Sequence, residues 1–162
     1  MTPPTVRLRP MTEEEYDAFR IRGVQLYADD LARSRGLSPA AARQASEETF
    51  DRTLAGAAAP DRTWVLRVLD DSDAAVGWLW LGPHPFREDG VFVYDVEIAE
   101  EHQGRGLGRA TMLAAEDLAR EAGLKYIQLN VFGWNTRAES LYRSLGYIPL
   151  ATQMGKPLQE NP

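Results

Sequence analysis

The chain has 162 residues, with 18 Lys+Arg against 24 Asp+Glu and a net charge of −6. Its 44% hydrophobic and 26% charged residues match ordinary globular usage, excluding a disordered or fibrous protein, and its length suits a single domain over 1–162. Cysteine is absent, which excludes disulfides, zinc–thiolate centres and a cysteine nucleophile.

Taken in chain order, Val6-Arg-Leu-Arg9 alternates apolar and charged residues and predicts a short strand. Thr12 and Glu15 have capping-box spacing, so a helix is expected from about Glu13 until Gly36 stops it. Ser38-Pro39 supplies an N-cap and first-turn proline for a second helix through about Leu54. The biased stretch from Ala55 to Pro60 reads as a helix end running into a loop. Trp64–Leu69 and Ala75–Leu81 flank the turn-rich Asp70–Asp73 and predict a β-hairpin. A loop with two prolines over Gly82–Gly90 precedes a long strand, Val91–Ile98. A helix over Arg105–Glu121, a strand over Lys125–Phe132 and a helix over Asn135–Leu145 follow, and Tyr147 opens a last extended segment or two. The order β-α-α-β-β-β-α-β-α-β predicts an α/β domain with a mixed, mostly antiparallel sheet flanked by helices. Its late crossover should set two parallel strands side by side or nearly so.

His84 and His102 lack ligand spacing, so no metal is expected, and the acidic balance argues against nucleic acid. The first ten residues lack the apolar run of a secretory signal, and no stretch approaches the ~20 apolar residues of a membrane span. The expectation is a soluble, cytoplasmic protein without a membrane partner.

The most informative segment runs from Tyr94 to Ala110, where a strand ends, a glycine-rich turn follows and a helix begins. Gly104, Gly106 and Gly108 leave backbone N–H groups at a helix N-terminus unshielded, and Arg105 and Arg109 add positive charge. Such an arrangement favours a phosphate or pyrophosphate. The P-loop signature is absent, and a dinucleotide fingerprint would need glycine where Arg109 or Thr111 stands. Asn135, Ala138 and Tyr142 share one helical face. Asn135 suits an N-cap as well as a ligand contact, and a core aromatic with a satisfied hydroxyl is a common fate for a residue placed like Tyr142.

Gln103-Gly-Arg-Gly-Leu-Gly108 resembles the Gln/Arg-x-x-Gly-x-Gly/Ala motif of the GNAT acyltransferase superfamily, and the Asn135-to-Tyr147 segment resembles that family's late helix. The resemblance follows element order along the whole chain and is carried by motifs from about Tyr94 to Tyr147. It implies an acetyl-CoA-dependent N-acetyltransferase with its acceptor side mainly in 1–60 and its coenzyme core at about 91–147. Cofactor-binding residues would be Ile98, Gln103, Gly104, Arg105, Gly106, Leu107, Gly108, Arg109, Asn135 and Ala138. Tyr142 would protonate the departing thiolate, and backbone groups near Ile98 would pair with pantetheine.

Asp95 and Glu97 lie two apart and so share a face of an interior strand, where carboxylates are costly unless paired or functional. One reading is a salt bridge to an arginine. The other makes Glu97, nearer the turn, the base that deprotonates an attacking amine, with Asp95 attracting that amine. Tyr27, Trp78 and Trp80 are candidates for lining the acceptor pocket, and Trp134 for touching cofactor or acceptor. With no cysteine, direct attack in a ternary complex is favoured over a covalent acyl-cysteine route. Another acyl or aminoacyl donor, or a non-catalytic acyl-CoA-binding module, are the alternatives. A primary amine of unknown identity is the expected acceptor, and the resemblance also admits a homodimer.

Overall fold

The computed structural model describes residues 3–55, 62–156 and 158. Five strands and four helices follow in the order β1 (Arg7–Pro10), α1 (Glu13–Arg35), α2 (Pro39–Ala55), β2 (Trp64–Leu69), β3 (Ala75–Pro83), β4 (Gly90–Ile98), α3 (Leu107–Glu121), β5 (Tyr126–Leu129) and α4 (Thr136–Ser144). The predicted loop over 56–60 lies outside the described residues. The capping box at Thr12 forms in full, with the Glu15 side chain returning to the Thr12 backbone, and Gly36 closes α1 in the left-handed conformation.

The sheet order is β1-β2-β3-β4-β5, antiparallel except for the parallel pair β4–β5. Helices cover both faces. On one side Phe19, Val24 and Phe50 of α1 and α2 pack on Trp78 and Trp80 of β3. On the other, Leu107, Met112, Ala115 and Ala119 of α3 pack on Leu79, Leu81, Val91 and Val93. Among the described residues, no helix is long and apolar enough to cross a membrane.

One irregularity positions everything that follows. Trp80 pairs with Asp95 but Leu81 pairs with Val93, so Tyr94 is an extra residue in β4, a β-bulge. Side chains alternate faces along a strand, and one inserted residue reverses the alternation. Val91 and Val93 before the bulge, and Val96 and Ile98 after it, therefore all join the α3 core. Without the bulge, Asp95 and Glu97 would follow Val91 and Val93 into that core. With it, they face α1. The bulge also ends the β4–β5 ladder, which runs only from Gly90–Tyr126 to Val93–Leu129. Beyond it the two strands separate, and β4 from Tyr94 to Ile98 has no strand on that side among the described residues.

Several predicted boundaries shift. β3 reaches Pro83, into the predicted loop, and α3 starts at Leu107, because Gly104 and Gly106 hold positive φ that a helix cannot accept. β5 spans four residues, fewer than the predicted Lys125–Phe132, because its partner bends away at the bulge. The extended segment after Tyr147 has no strand pairing in the described residues.

Candidate active site

The glycine turn lies where β4 hands over to α3. A 3-10 turn over Glu100–His102 brings the chain to Gln103, whose side chain is bonded at both ends. Its Nε2 donates to the Ile98 carbonyl at 2.8 Å, and its Oε1 accepts from Arg137 Nη1 at 2.9 Å. Gln103 thus ties the strand end to α4. Gly104 and Gly106 then adopt φ of 79° and 82°, conformations that strain other residues. Leu107 is buried beneath the turn, while Gln103 through Gly106 and Arg109 are exposed. None of the backbone N–H groups from Gly104 to Arg109 meets an acceptor among the described residues. Arg105 donates to the Glu101 carbonyl and Arg109 to the Ser144 hydroxyl, so both guanidinium groups stay beside the turn. A run of free donors at a helix N-terminus, flanked by Arg105, Arg109 and Arg137, fits the pyrophosphate of coenzyme A.

A Cβ at Gly108 would stand 3.4 Å from the Leu141 side chain, about van der Waals contact between α3 and α4. At Gly106 a Cβ would meet Pro4 at 3.0 Å, whereas at Gly104 the nearest atom is Arg137 Nη2 at 3.9 Å. Gly104 is therefore the cleaner probe of charge. Gly104→Asp and Gly104→Asn impose the same backbone strain and similar bulk, but only Asp sets a carboxylate against the pyrophosphate. Calorimetry should show coenzyme A binding at least tenfold weaker for Asp than for Asn. Equal affinities would remove the turn from coenzyme recognition.

Asp95 and Glu97 occupy different environments. Glu97 Oε1 accepts from Arg22 Nε at 3.0 Å and Nη2 at 2.6 Å, an ion pair with α1. Asp95 has no arginine bond: its Oδ2 accepts the Trp78 indole N–H at 2.8 Å, and Gly23 of α1 lies against it, with a Cβ position 3.7 Å away. Burial pushes the Asp95 carboxyl up from 3.8 to about 6. The neighbouring charge of Glu97 adds to this, while the Trp78 bond and Arg22 oppose it.

Tyr142 is partly buried in the α3-side core, 5.9 Å from the Tyr147 ring. Its hydroxyl has no hydrogen bond among the described residues, and burial, followed by the Asp95 charge, raises the phenol above its ordinary range. Asn135 caps α4, its Oδ1 accepting from Ala138 N at 3.2 Å, and Ala138 is half-buried. Trp80 is core, enclosed by Phe19, Phe50 and Tyr94. Trp78 is buried too, touching the site through its indole N–H, and Tyr27 is half-buried between the two α1 clusters. Trp134 stacks on Phe132 and lies under the Arg33 guanidinium at 4.2 Å, joining the start of α4 to α1. Arg22, Gly23, Arg33 and Arg137 were missed by sequence reasoning, since nothing in a helical pattern distinguishes an arginine facing a site from one facing water.

A sequence profile of the Acetyltransferase (GNAT) family matches residues 26–147. The uncharacterized N-acetyltransferase YdgE of Bacillus subtilis is 30% identical over 154 residues, covering 93% of this chain and 97% of that one. The uncharacterized N-acetyltransferase YycN of the same organism is 30% identical over 95% of this chain and 99% of its own. The crystal structure of that putative acetyltransferase superposes with a TM-score of 0.87, at 26% identity over 96% of this chain and 100% of that one. A mycothiol acetyltransferase of Renibacterium salmoninarum is 40% identical over 90 residues, 54% of this chain and 27% of that protein. The chain belongs to the GNAT family of acetyltransferases and is an acyltransferase.

Proposed function

We propose that this enzyme transfers an acetyl group from acetyl-CoA to a primary amine by direct attack in a ternary complex. The observation that carries this reading is the juxtaposition, around the gap between β4 and β5, of a donor-rich helix start, a raised carboxyl and a protonated phenol. The residues from Gln103 to Arg109, with Arg137, hold the coenzyme phosphates. The β4 edge from Tyr94 towards Ile98, which no strand covers among the described residues and where Gln103 already holds the Ile98 carbonyl, takes the pantetheine arm, and Asn135 and Ala138 flank it. The amine loses its proton to a carboxylate and attacks the thioester carbonyl. The carbon–sulfur bond then breaks, with the Tyr142 hydroxyl donating towards the departing sulfur. The domain's acceptor side is mainly α1 and α2.

The two carboxylates exchange the roles their sequence positions suggested. Glu97 is already engaged by Arg22 through both Nε and Nη2, so its Oε1 faces the guanidinium and not an incoming amine. Asp95 lacks such a partner and is poised near 6, close to the working pH that a general base needs. Glu97 and Arg22 then form a wall beside the acceptor, and the Asp95 carboxylate, which has no such ion pair, favours a cationic one. Glu97→Gln can still accept from Arg22, so kcat/KM should fall less than tenfold. A loss of 10²-fold with Asp95→Asn near parental activity would restore Glu97 as the base.

The test of the function is turnover of acetyl-CoA, read as free thiol, against a panel of polyamines, aminoglycosides, amino acids and peptide N-termini. Acceptor-dependent release of coenzyme A is the expected result. Tight coenzyme binding without turnover on any amine would instead make the chain a binding module.

A further inference from the structure

One flank of α1 is fastened to the rest of the site at both ends. At the first end Arg22 pairs with Glu97, and Gly23 lies against Asp95. Two turns on, Asp30 and Arg33 meet Trp134, which stands just before the Asn135 cap of α4. The Trp134 side chain donates to the Asp30 carboxylate, and the Arg33 guanidinium lies 4.2 Å from the centre of the same ring. Helical spacing sets Leu26 between the two ends on this same flank, three positions after Gly23 and four before Asp30, and it is 38% exposed.

The far end has the chemistry of a cation site. Asp30 is half-buried, and burial holds its carboxyl above the ordinary range, with the charge of Asp29 adding to the shift. A carboxylate that burial makes costly is relieved by a positive charge beside it. The face of an indole is the best aromatic seat for such a charge. The chain's own Arg33 occupies that face, and Arg33 is exposed, so it can swing into water when another cation arrives.

We propose that the acceptor is an aliphatic diamine or polyamine, acetylated on one amine at Asp95 while a second ammonium displaces Arg33 and binds between Asp30 and Trp134. The proposal rests on the acetyl-transfer reading above and names its substrate class. Gly23 and Asp30 are seven positions apart, a rise of about 10 Å along α1, which sets the separation of the two nitrogens. The methylene chain between them runs along Leu26 and gives that side chain an apolar neighbour, which a hydroxylated ring would not. Acetylation removes the charge at the Asp95 end, so the product is held at the Asp30 end alone.

Initial rates with unbranched monoamines and diamines of matched length test this. Once the chain spans about 10 Å, the diamine should exceed its monoamine at least tenfold in kcat/KM, and shorter diamines should not. Asp30→Asn should lower that ratio at least tenfold, whereas Arg33→Gln vacates the seat and should raise it. A fastening with only a structural role would harm monoamine and diamine alike and leave the ratio unchanged. Calorimetry of the long diamine against the protein saturated with coenzyme A reads the same seat without turnover, and Asp30→Asn should weaken that binding at least tenfold. Equal kcat/KM for matched monoamines and diamines overturns the proposal and leaves acetyl transfer intact. So does an Asp30→Asn protein that binds the long diamine as its parent does. Asp30-dependent binding without turnover of any amine would instead sink the transfer reading and keep the diamine seat.

Discussion

Replacing Asp95 by Asn should lower kcat/KM roughly 10²-fold at neutral pH while leaving the folded protein at least as stable as its parent. The two halves of that result have one cause. Burial lifts the Asp95 carboxyl from 3.8 to about 6, so the folded state holds this proton more tightly than the unfolded state does. A carboxyl shifted upwards stabilises the fold below about pH 3.8, and that contribution disappears as pH rises through about 6. At neutral pH the ionised group is therefore a burden, worth about 3 kcal/mol at most, and partial exposure of Asp95 to water reduces it. Asn carries no charge and can still accept the Trp78 indole N–H, so the melting temperature at pH 8 should rise by a few degrees. A residue kept only for packing would not combine greater stability with lost activity. The pH profile separates base from acceptor. In the parent, kcat/KM should climb through about pH 6, and the amine's own titration adds a second rise at higher pH. The Asn variant should retain only the second rise. Activity within threefold of the parent would leave Asp95 as nothing more than the partner of Trp78.

That prediction depends on a feature no strand pattern in the sequence reveals. Val91 to Ile98 reads as one uninterrupted strand, and so it is, but the bulge at Tyr94 reverses its faces midway. Whether Asp95 joins Val93 or opposes it depends on the register with β3, a long-range property. What was legible was local. The capping box at Thr12, the stop at Gly36, the turn between β2 and β3 and the Asn135 cap are each fixed by residues a few positions apart. The glycine turn was legible for the same reason, since its geometry resides in its own backbone. The Arg22–Glu97 pair spans 75 positions and the Arg137–Gln103 bond 34, and neither has a local signature. The segment after α4 shows the converse. Ile148, Leu150 and Met154 alternate as a strand would, yet a strand also needs a neighbour to bond, and among the described residues none pairs with it.

Tyr142→Phe should lower kcat by about 10- to 10²-fold with little change in acetyl-CoA affinity, because Phe keeps the ring packed on Tyr147 and deletes only the hydroxyl. The size of the effect follows from the acidities involved. Burial and the Asp95 charge hold the phenol above its ordinary value near 10, so it is protonated throughout any practical assay range. A departing thiolate, whose thiol has a pKa of about 8.5, is a weaker base than the phenolate, so complete proton transfer between them is uphill by about 2 kcal/mol or more. The hydroxyl therefore acts chiefly as a hydrogen-bond donor to charge developing on sulfur, a stabilisation present in the transition state and nearly absent in the thioester. Its loss should appear in kcat and not in binding. The activity should also show no falling limb from Tyr142 below the ordinary phenol range near pH 10. Single-turnover rates with donors of graded thiol acidity would measure this directly: the Phe variant should depend more steeply on leaving-group acidity than the parent. Identical slopes, with chemistry limiting in both proteins, would return Tyr142 to the core as an ordinary aromatic and leave solvent as the proton source for the thiolate.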